Sequence, residues 1–144
     1  MSQSTQKQVD LARDICVYAH TGQTDKAGKP YHLHPEHVAS QFTEPSEKIV
    51  ALLHDVLEDT DFPLSVLKAV FNDEVIQALL LLCHDKSVPY MEYVEKISAN
   101  KIAKAVKTAD LKHNMDISRI PNPTEKDYSR LEKYKKALQI LENK

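Results

Sequence analysis

Ala51-Leu52-Leu53-His54-Asp55-Val56-Leu57-Glu58-Asp59-Thr60 is the stretch that decides how this chain is read. Wound as a helix at about 100° per residue, it puts Ile49, Leu52, Leu53, Val56 and Leu57 on one apolar face. His54 and Glu58 then lie one turn apart on its edge, and so do Asp55 and Asp59. Three of these four titratable groups are carboxylates. Packed together without a cation, they repel one another and raise each other's pKa. A bound divalent ion removes that penalty. The plainer alternative is an acidic, solvated helix end carrying an ordinary His–Asp pair.

Working outward, helical periodicity dominates and strand signals are weak. One helix covers Thr5 to Ala19, with Val9, Ala12, Cys16 and Ala19 in a stripe. Both glycines, Gly22 and Gly28, fall in the loop that follows, which ends at Pro30. Pro35 opens a helix with Val38, Ala39 and Phe42. Pro45-Ser46 reads as a break and an N-cap, leading into a helix over Glu47 to Leu57. Pro63 starts a short helix, and Asn72 or Asp73 caps the next, which carries Val75, Ile76, Leu79, Leu80 and Leu82. Pro89 opens a helix through Ser98, and Asn100 caps another with Ile102, Ala103, Val106 and Ala109. Thr124 with Asp127 resembles a capping box before a final helix striped with Leu131, Tyr134, Leu138 and Leu141. That stripe predicts core or dimer packing, so a homodimer stays open. The expected fold is all-α: about seven or eight helices in a single-domain bundle over residues 1–144.

An adjacent His and Asp do not complete a metal site. His34 follows the glycine loop, and Asp110 ends the apolar stripe of Ala105-Val106-Lys107-Thr108-Ala109-Asp110. Two imidazoles and two carboxylates suit manganese, iron or magnesium better than a thiolate-built zinc site. Such an ion lowers the pKa of water and polarises a phosphoryl group. Glu58 and Asp59 are placed to orient or deprotonate that water. Against this stand bland roles: His34 as an ordinary helix-start residue, and Asp110 paired with Lys107 or Lys112.

Bulk composition narrows the partners. Hydrophobic residues make up 42% and charged residues 28%, an ordinary balance for a folded domain. The net charge of −2 offers no long-range attraction to a nucleic-acid polymer. No apolar run nears the roughly 18 residues of a membrane span. The N-terminal segment is polar and the two cysteines, Cys16 and Cys83, lie far apart, so a reduced, cytoplasmic protein is expected.

Three blocks carry a resemblance. "AHTGQTDKAGKPYHLHP" (19–35), "ALLHDVLEDT" (51–60) and "VKTADLKHN" (106–114) resemble the signature blocks of the HD hydrolase domain of RelA/SpoT-type alarmone enzymes. The resemblance implies the all-α HD fold and His34, His54, Asp55 and Asp110 as ligands of one divalent ion, usually manganese. It implies Glu58 and Asp59 as the water-activating pair, and removal of the 3′-pyrophosphate of guanosine tetra- or pentaphosphate as the reaction. It also implies a nucleotide contact at Asn114, with Tyr31 and Gly28 shaping the loop before the histidine ligand, and Tyr31 is expected to bind substrate as well. Lys26, Lys86, Lys107 and Lys112 are the available basic contacts. Two departures stand out. Where the family places an arginine on the guanine base, this chain has Asp25. Where animal members place a basic cluster, it has Tyr93-Val94-Glu95. His20 reads equally as a supporting or structural residue, and His32 and His37 as surface residues or supports behind the site. His84 and His113 read as pocket contacts or solvated side chains. Two further functions stay open: a phosphohydrolase for another nucleotide or phosphorylated metabolite, and a non-catalytic nucleotide sensor.

Overall fold

A computed structural model describes residues 3–144; the first two residues of the expected domain lie outside the described part. The helices run in the order α1 (Gln3–Ala19), α2 (Leu33–Ser40), α3 (Pro45–Leu53), α4 (Val56–Asp59) and α5 (Leu64–Val70). They continue with α6 (Asp73–Leu82), α7 (Tyr90–Ile97), α8 (Lys101–Asn114), a 3₁₀ turn (Ile117–Arg119) and α9 (Glu125–Glu142). The described residues hold no strand, only an isolated antiparallel bridge between Thr24 and Pro30. The all-α expectation stands.

α3 is the hub, packing against α1, α2, α6 and α8. Ile49, Val50, Ala51, Leu52 and Leu53 are all buried. The expected one-sided apolar face is therefore too narrow, because a helix apolar all round is enclosed on all sides.

The continuous helix expected over Glu47 to Leu57 is in fact broken. α3 ends at Leu53, His54 is its C-cap, and Asp55 sits at φ −98°, ψ −5° before the single turn α4. The cause is local. His54 Nδ1 donates to the Ala51 carbonyl, the acceptor that the Asp55 amide uses in an uninterrupted helix. The N-terminus of α3 also differs: Glu44 is the N-cap and Pro45 the first helical residue, so Ser46 does not cap. Proline suits that first position because its missing N–H is not needed there.

Other caps follow the sequence. Asn72 accepts from Val75 N, Asn100 from Ala103 N, and Thr124 with Asp127 forms a reciprocal capping box. In the α9 stripe, Leu141 is buried while Tyr134 and Leu138 pack on the core, so the stripe seals this chain's own interior. Cys16 and Cys83 are both free thiols. No described helix is long and apolar enough to cross a membrane.

The α1–α2 loop delivers two site residues. Gly22 and Gly28 sit at φ 85° and 80°, where a side chain costs roughly 1–2 kcal/mol. Asp25 Oδ1 accepts from the amides of Ala27 and Lys29, tying the tip, and Tyr31 N donates to Gln23 O. The chain then enters α2 with Tyr31 and His34 set in place.

Candidate metal centre

Three separate segments meet at one point. His34 comes from the first turn of α2, His54 and Asp55 from the α3–α4 break, and Asp110 from α8. One donor atom from each lies within 4.8 Å of all the others. His34 Nε2 is 2.7 Å and His54 Nε2 3.3 Å from Asp110 Oδ1, and His54 Nε2 is 3.2 Å from Asp55 Oδ2. His34, His54 and Asp110 are each at most 4% exposed.

The break in the helix therefore has a chemical use. With Nδ1 committed to a carbonyl, His54 presents only Nε2 to the carboxylates. Metal-bound histidines characteristically have the other ring nitrogen fixed in this way. His34 is held similarly: its Nδ1 lies 2.7 Å from His113 Nδ1, and the two rings stack with centroids 4.9 Å apart. His37 also stacks on His113, with ring centroids 3.9 Å apart.

Each carboxylate also has a fixed partner. Tyr31 Oη donates to Asp55 Oδ2 at 2.6 Å, Asn114 Nδ2 to Asp110 Oδ1 at 3.1 Å, and Lys107 Nζ to Asp110 Oδ2 at 3.1 Å. Burial raises both acids, yet neighbouring cations reverse it: Lys107 and the imidazoles hold Asp110 well below the usual carboxylate range, and His54 does the same for Asp55. Burial opposes a charge on His54, but Asp55 and Asp110 keep its pKa well above the ordinary value. This donor set fits a hard or borderline divalent ion. One buried and one partly exposed carboxylate converge with two buried imidazoles, and the two acids favour a proton on His54.

The cluster stands in the wall between two cavities. One, of about 200 Å³, is lined by His54, Asp55 and Asp110 together with Glu58, Lys86, Lys107, Tyr90 and Lys133. The other, of about 280 Å³, is lined by His34, Asp25, Lys26, Arg119, Arg130 and others. Tyr31, Asn114 and Tyr134 border both.

Of the expected catalytic pair, both residues line one cleft beside the cluster, and Glu58 alone also reaches the 200 Å³ cavity. Glu58 borders the 200 Å³ cavity and accepts from His84 N at 2.8 Å and from Lys86 Nζ at 3.1 Å. Asp59 lines a neighbouring cleft with Tyr18, Gln23 and Phe62. Crowding by protein atoms, then the charges of Asp55 and Glu58, raise its carboxyl to about 6.

The expected substrate contacts prove to be largely engaged within the protein. Tyr31, Asn114 and Lys107 hold the metal-centre acids, Lys86 holds Glu58, and Lys26 pairs with Asp127 at 2.7 Å in the second cavity. Asp25, which stands where the family places an arginine, spends Oδ1 on its own loop and lies 3.8 Å from Arg119 through Oδ2. Tyr90 and Lys133 escaped the sequence reading, while Tyr93 enters it only where a basic cluster is missing and Tyr134 only as part of the final-helix stripe. They come from α7 and α9, where they look like ordinary amphipathic-helix residues. Tyr93, at 7% exposure, donates to Leu82 O and packs its ring 4.5 Å from His84. Buried His20 lies with its ring 5.0 Å from Tyr31, so it backs the tyrosine that holds Asp55.

No family model matches the chain. A solved structure described by the words "A metazoan ortholog of SpoT hydrolyzes ppGpp and plays a role in starvation responses" shares the fold. Its TM-score is 0.75 at 23% identity, covering 98% of this chain and 86% of that one. Sequence likeness decides the family. The mouse protein named guanosine-3′,5′-bis(diphosphate) 3′-pyrophosphohydrolase MESH1 is 33% identical over 137 residues, covering 85% of this chain and 76% of the relative. The chain belongs to the guanosine-3′,5′-bis(diphosphate) 3′-pyrophosphohydrolase family. The zebrafish protein of the same name is 36% identical over 107 residues, 66% of this chain and 59% of that protein. A "GTP pyrophosphokinase" of Streptomyces coelicolor is 31% identical over 125 residues, 78% of this chain, but the match spans only 15% of that longer protein. The pyrophosphohydrolase relationship thus covers most of this chain, the donor cluster and α8 included.

Proposed function

We propose that this chain is a metal-dependent nucleotide hydrolase that removes the 3′-pyrophosphate of guanosine-3′,5′-bis(diphosphate). The observation that carries the reading is the convergence of His34, His54, Asp55 and Asp110 beside a lysine-lined cavity, in a member of the pyrophosphohydrolase family. Those four residues would hold one divalent ion, manganese in our reading, with iron or magnesium as alternatives. Such an ion polarises a phosphoryl oxygen and makes water more acidic.

The chain's own groups do the rest. Glu58, held by the His84 amide and Lys86, accepts the proton of the attacking water. Asp59, the next residue, assists it from the neighbouring cleft. The water oxygen bonds to the phosphorus attached to the 3′ oxygen, and the bond from phosphorus to that oxygen breaks. The oxygen takes up a proton, leaving guanosine 5′-diphosphate and pyrophosphate. Tyr31 and Asn114, which border both cavities, set the nucleotide across the wall between them, while Lys26, Lys86 and Lys107 supply positive potential. We place the protein in the cytoplasm and take residues 1–144 as one hydrolase unit.

A second reading keeps the chemistry and changes the base. It rests on Asp25, whose carboxylate is held by loop amides and faces Arg119. The test is release of phosphate and pyrophosphate by the manganese-loaded protein from ppGpp, pppGpp, the adenosine equivalents and NADPH. Pyrophosphate from ppGpp, abolished in His54→Ala, supports the first reading. Turnover of another nucleotide alone moves the substrate. Tight binding without turnover, unchanged in Glu58→Gln, identifies a sensor instead.

A further inference from the structure

The cavity beside the donor cluster collects lysines from three elements: Lys86 from the α6–α7 loop, Lys107 from α8 and Lys133 from α9. Two of them have acids of their own. Lys107 is paired with Asp110 and Lys86 with Glu58, each at 3.1 Å. Lys133 differs. Among the described residues no carboxylate pairs with it, and its ammonium stands 4.0 Å from the centre of the Tyr90 ring. Lys107 Nζ approaches the same ring at 5.8 Å.

A solvated lysine normally swings away from other cations. Lys133 is exposed, yet its ammonium rests on a pocket-lining aromatic face, where partial loss of hydration, followed by the charges of Lys107, Lys86 and Arg130, lowers its pKa. The site thus keeps a cation next to its own kind with nothing negative to balance it. A bound anion supplies that balance. It sits one residue's reach beyond the donor cluster, because Lys107 already bridges the cluster to the Tyr90 ring.

We propose that Lys133, with Lys86, forms the subsite for the terminal phosphate of a diphosphate, so that the centre prefers a diphosphate to a monophosphate at the position it cleaves. This deepens the proposed function and rests on it for the nucleotide, though not for the diphosphate. Phosphate one lies at the donor cluster and phosphate two at Lys133. Lys107 stays with Asp110 and sets the geometry of a metal ligand.

The experiment has a binding arm and a turnover arm. In the first, the manganese-loaded protein is titrated calorimetrically with the manganese complex of inorganic pyrophosphate and, separately, with inorganic phosphate. Lys133→Met is expected to weaken pyrophosphate about tenfold and phosphate less than about twofold, with Lys133→Arg restoring most of the loss. Equal weakening of both anions, or none, overturns the subsite. In the second arm, guanosine 5′-diphosphate carrying a 3′-diphosphate or a 3′-monophosphate is the substrate. Lys133→Met should raise KM for the former alone and leave kcat within about twofold. A KM unchanged by Lys133→Met overturns the subsite while leaving the hydrolase reading intact. Absence of turnover in the unaltered protein, with pyrophosphate binding still dependent on Lys133, removes the hydrolase reading and supports the subsite.

Discussion

The donor cluster and the lysine-and-tyrosine wall across from it are both polar and both made by distant segments, but they are built in opposite ways. In the cluster every candidate donor is immobilised by a second residue: His54 by Ala51 O, His34 by His113, Asp55 by Tyr31, and Asp110 by Lys107 and Asn114. In the wall, Lys86 is exposed over 76% of its side chain and Lys133 leans on a ring. Burial explains the contrast. A polar group taken out of water must be partnered, so buried chemistry is rigid by necessity. A rim cation stays hydrated and moves at little cost. The cluster is thus held rigid, and the wall is left free to move.

The sharpest way to break this contrast is to remove a buried partner. Asp110→Ala takes away a proposed ligand and strands Lys107, so metal binding should vanish and stability should fall by about 3–5 kcal/mol, read by metal stoichiometry and thermal melting. A melt within about 1 kcal/mol of the unaltered protein would show that Lys107 rehydrates freely and that the cluster is as soft as the wall. Glu58→Gln comes next. It should cost about 10²–10⁴ in kcat while manganese stays bound, which separates a proton acceptor from a ligand. Tyr31→Phe, which deletes only the hydroxyl on Asp55, should weaken the metal about 10–100-fold with the fold intact, followed by calorimetry.

Proton linkage sharpens the comparison further. His54 is held charged by Asp55 and Asp110, so its folded pKa lies above its unfolded one. Its stabilisation of the metal-free protein is present below the ordinary histidine pKa and is lost as pH rises through the raised value. A divalent ion displaces that proton, so binding near neutral pH should release about one proton, measured by calorimetry in buffers of differing ionisation enthalpy. Asp59 at the rim should do least. With its carboxyl raised to about 6, it favours the fold below the ordinary aspartate pKa and loses that contribution as pH climbs through 6. Asp59→Asn should therefore be neutral or slightly stabilising above pH 6, by under about 1 kcal/mol in thermal melts.

Much of this could be read in one dimension. Caps and prolines are local signals, so Asn72, Asn100 and the Thr124–Asp127 box appear where expected. The apolar stripes are local too, and they gave the helices and the all-α architecture. Convergence of the four donors was an implication of the three matched blocks, since nothing about Asp110 by itself distinguishes a ligand from a partner of Lys107. The break at His54-Asp55 escaped helical periodicity because it depends on one side chain competing for one carbonyl. Lys133 and Tyr90 escaped because helical spacing says which face a residue occupies and not what that face meets.

The order of elements and the kind of atoms available to a cation were therefore written in the chain itself, because they depend on neighbours within a turn or two. Which acid each lysine neutralises, which imidazole nitrogen is left facing the carboxylates, and which cation remains without a counter-charge were decided only when α2, α3, α8 and α9 packed. Those are questions of distance between groups tens of residues apart, and only tertiary structure sets such distances.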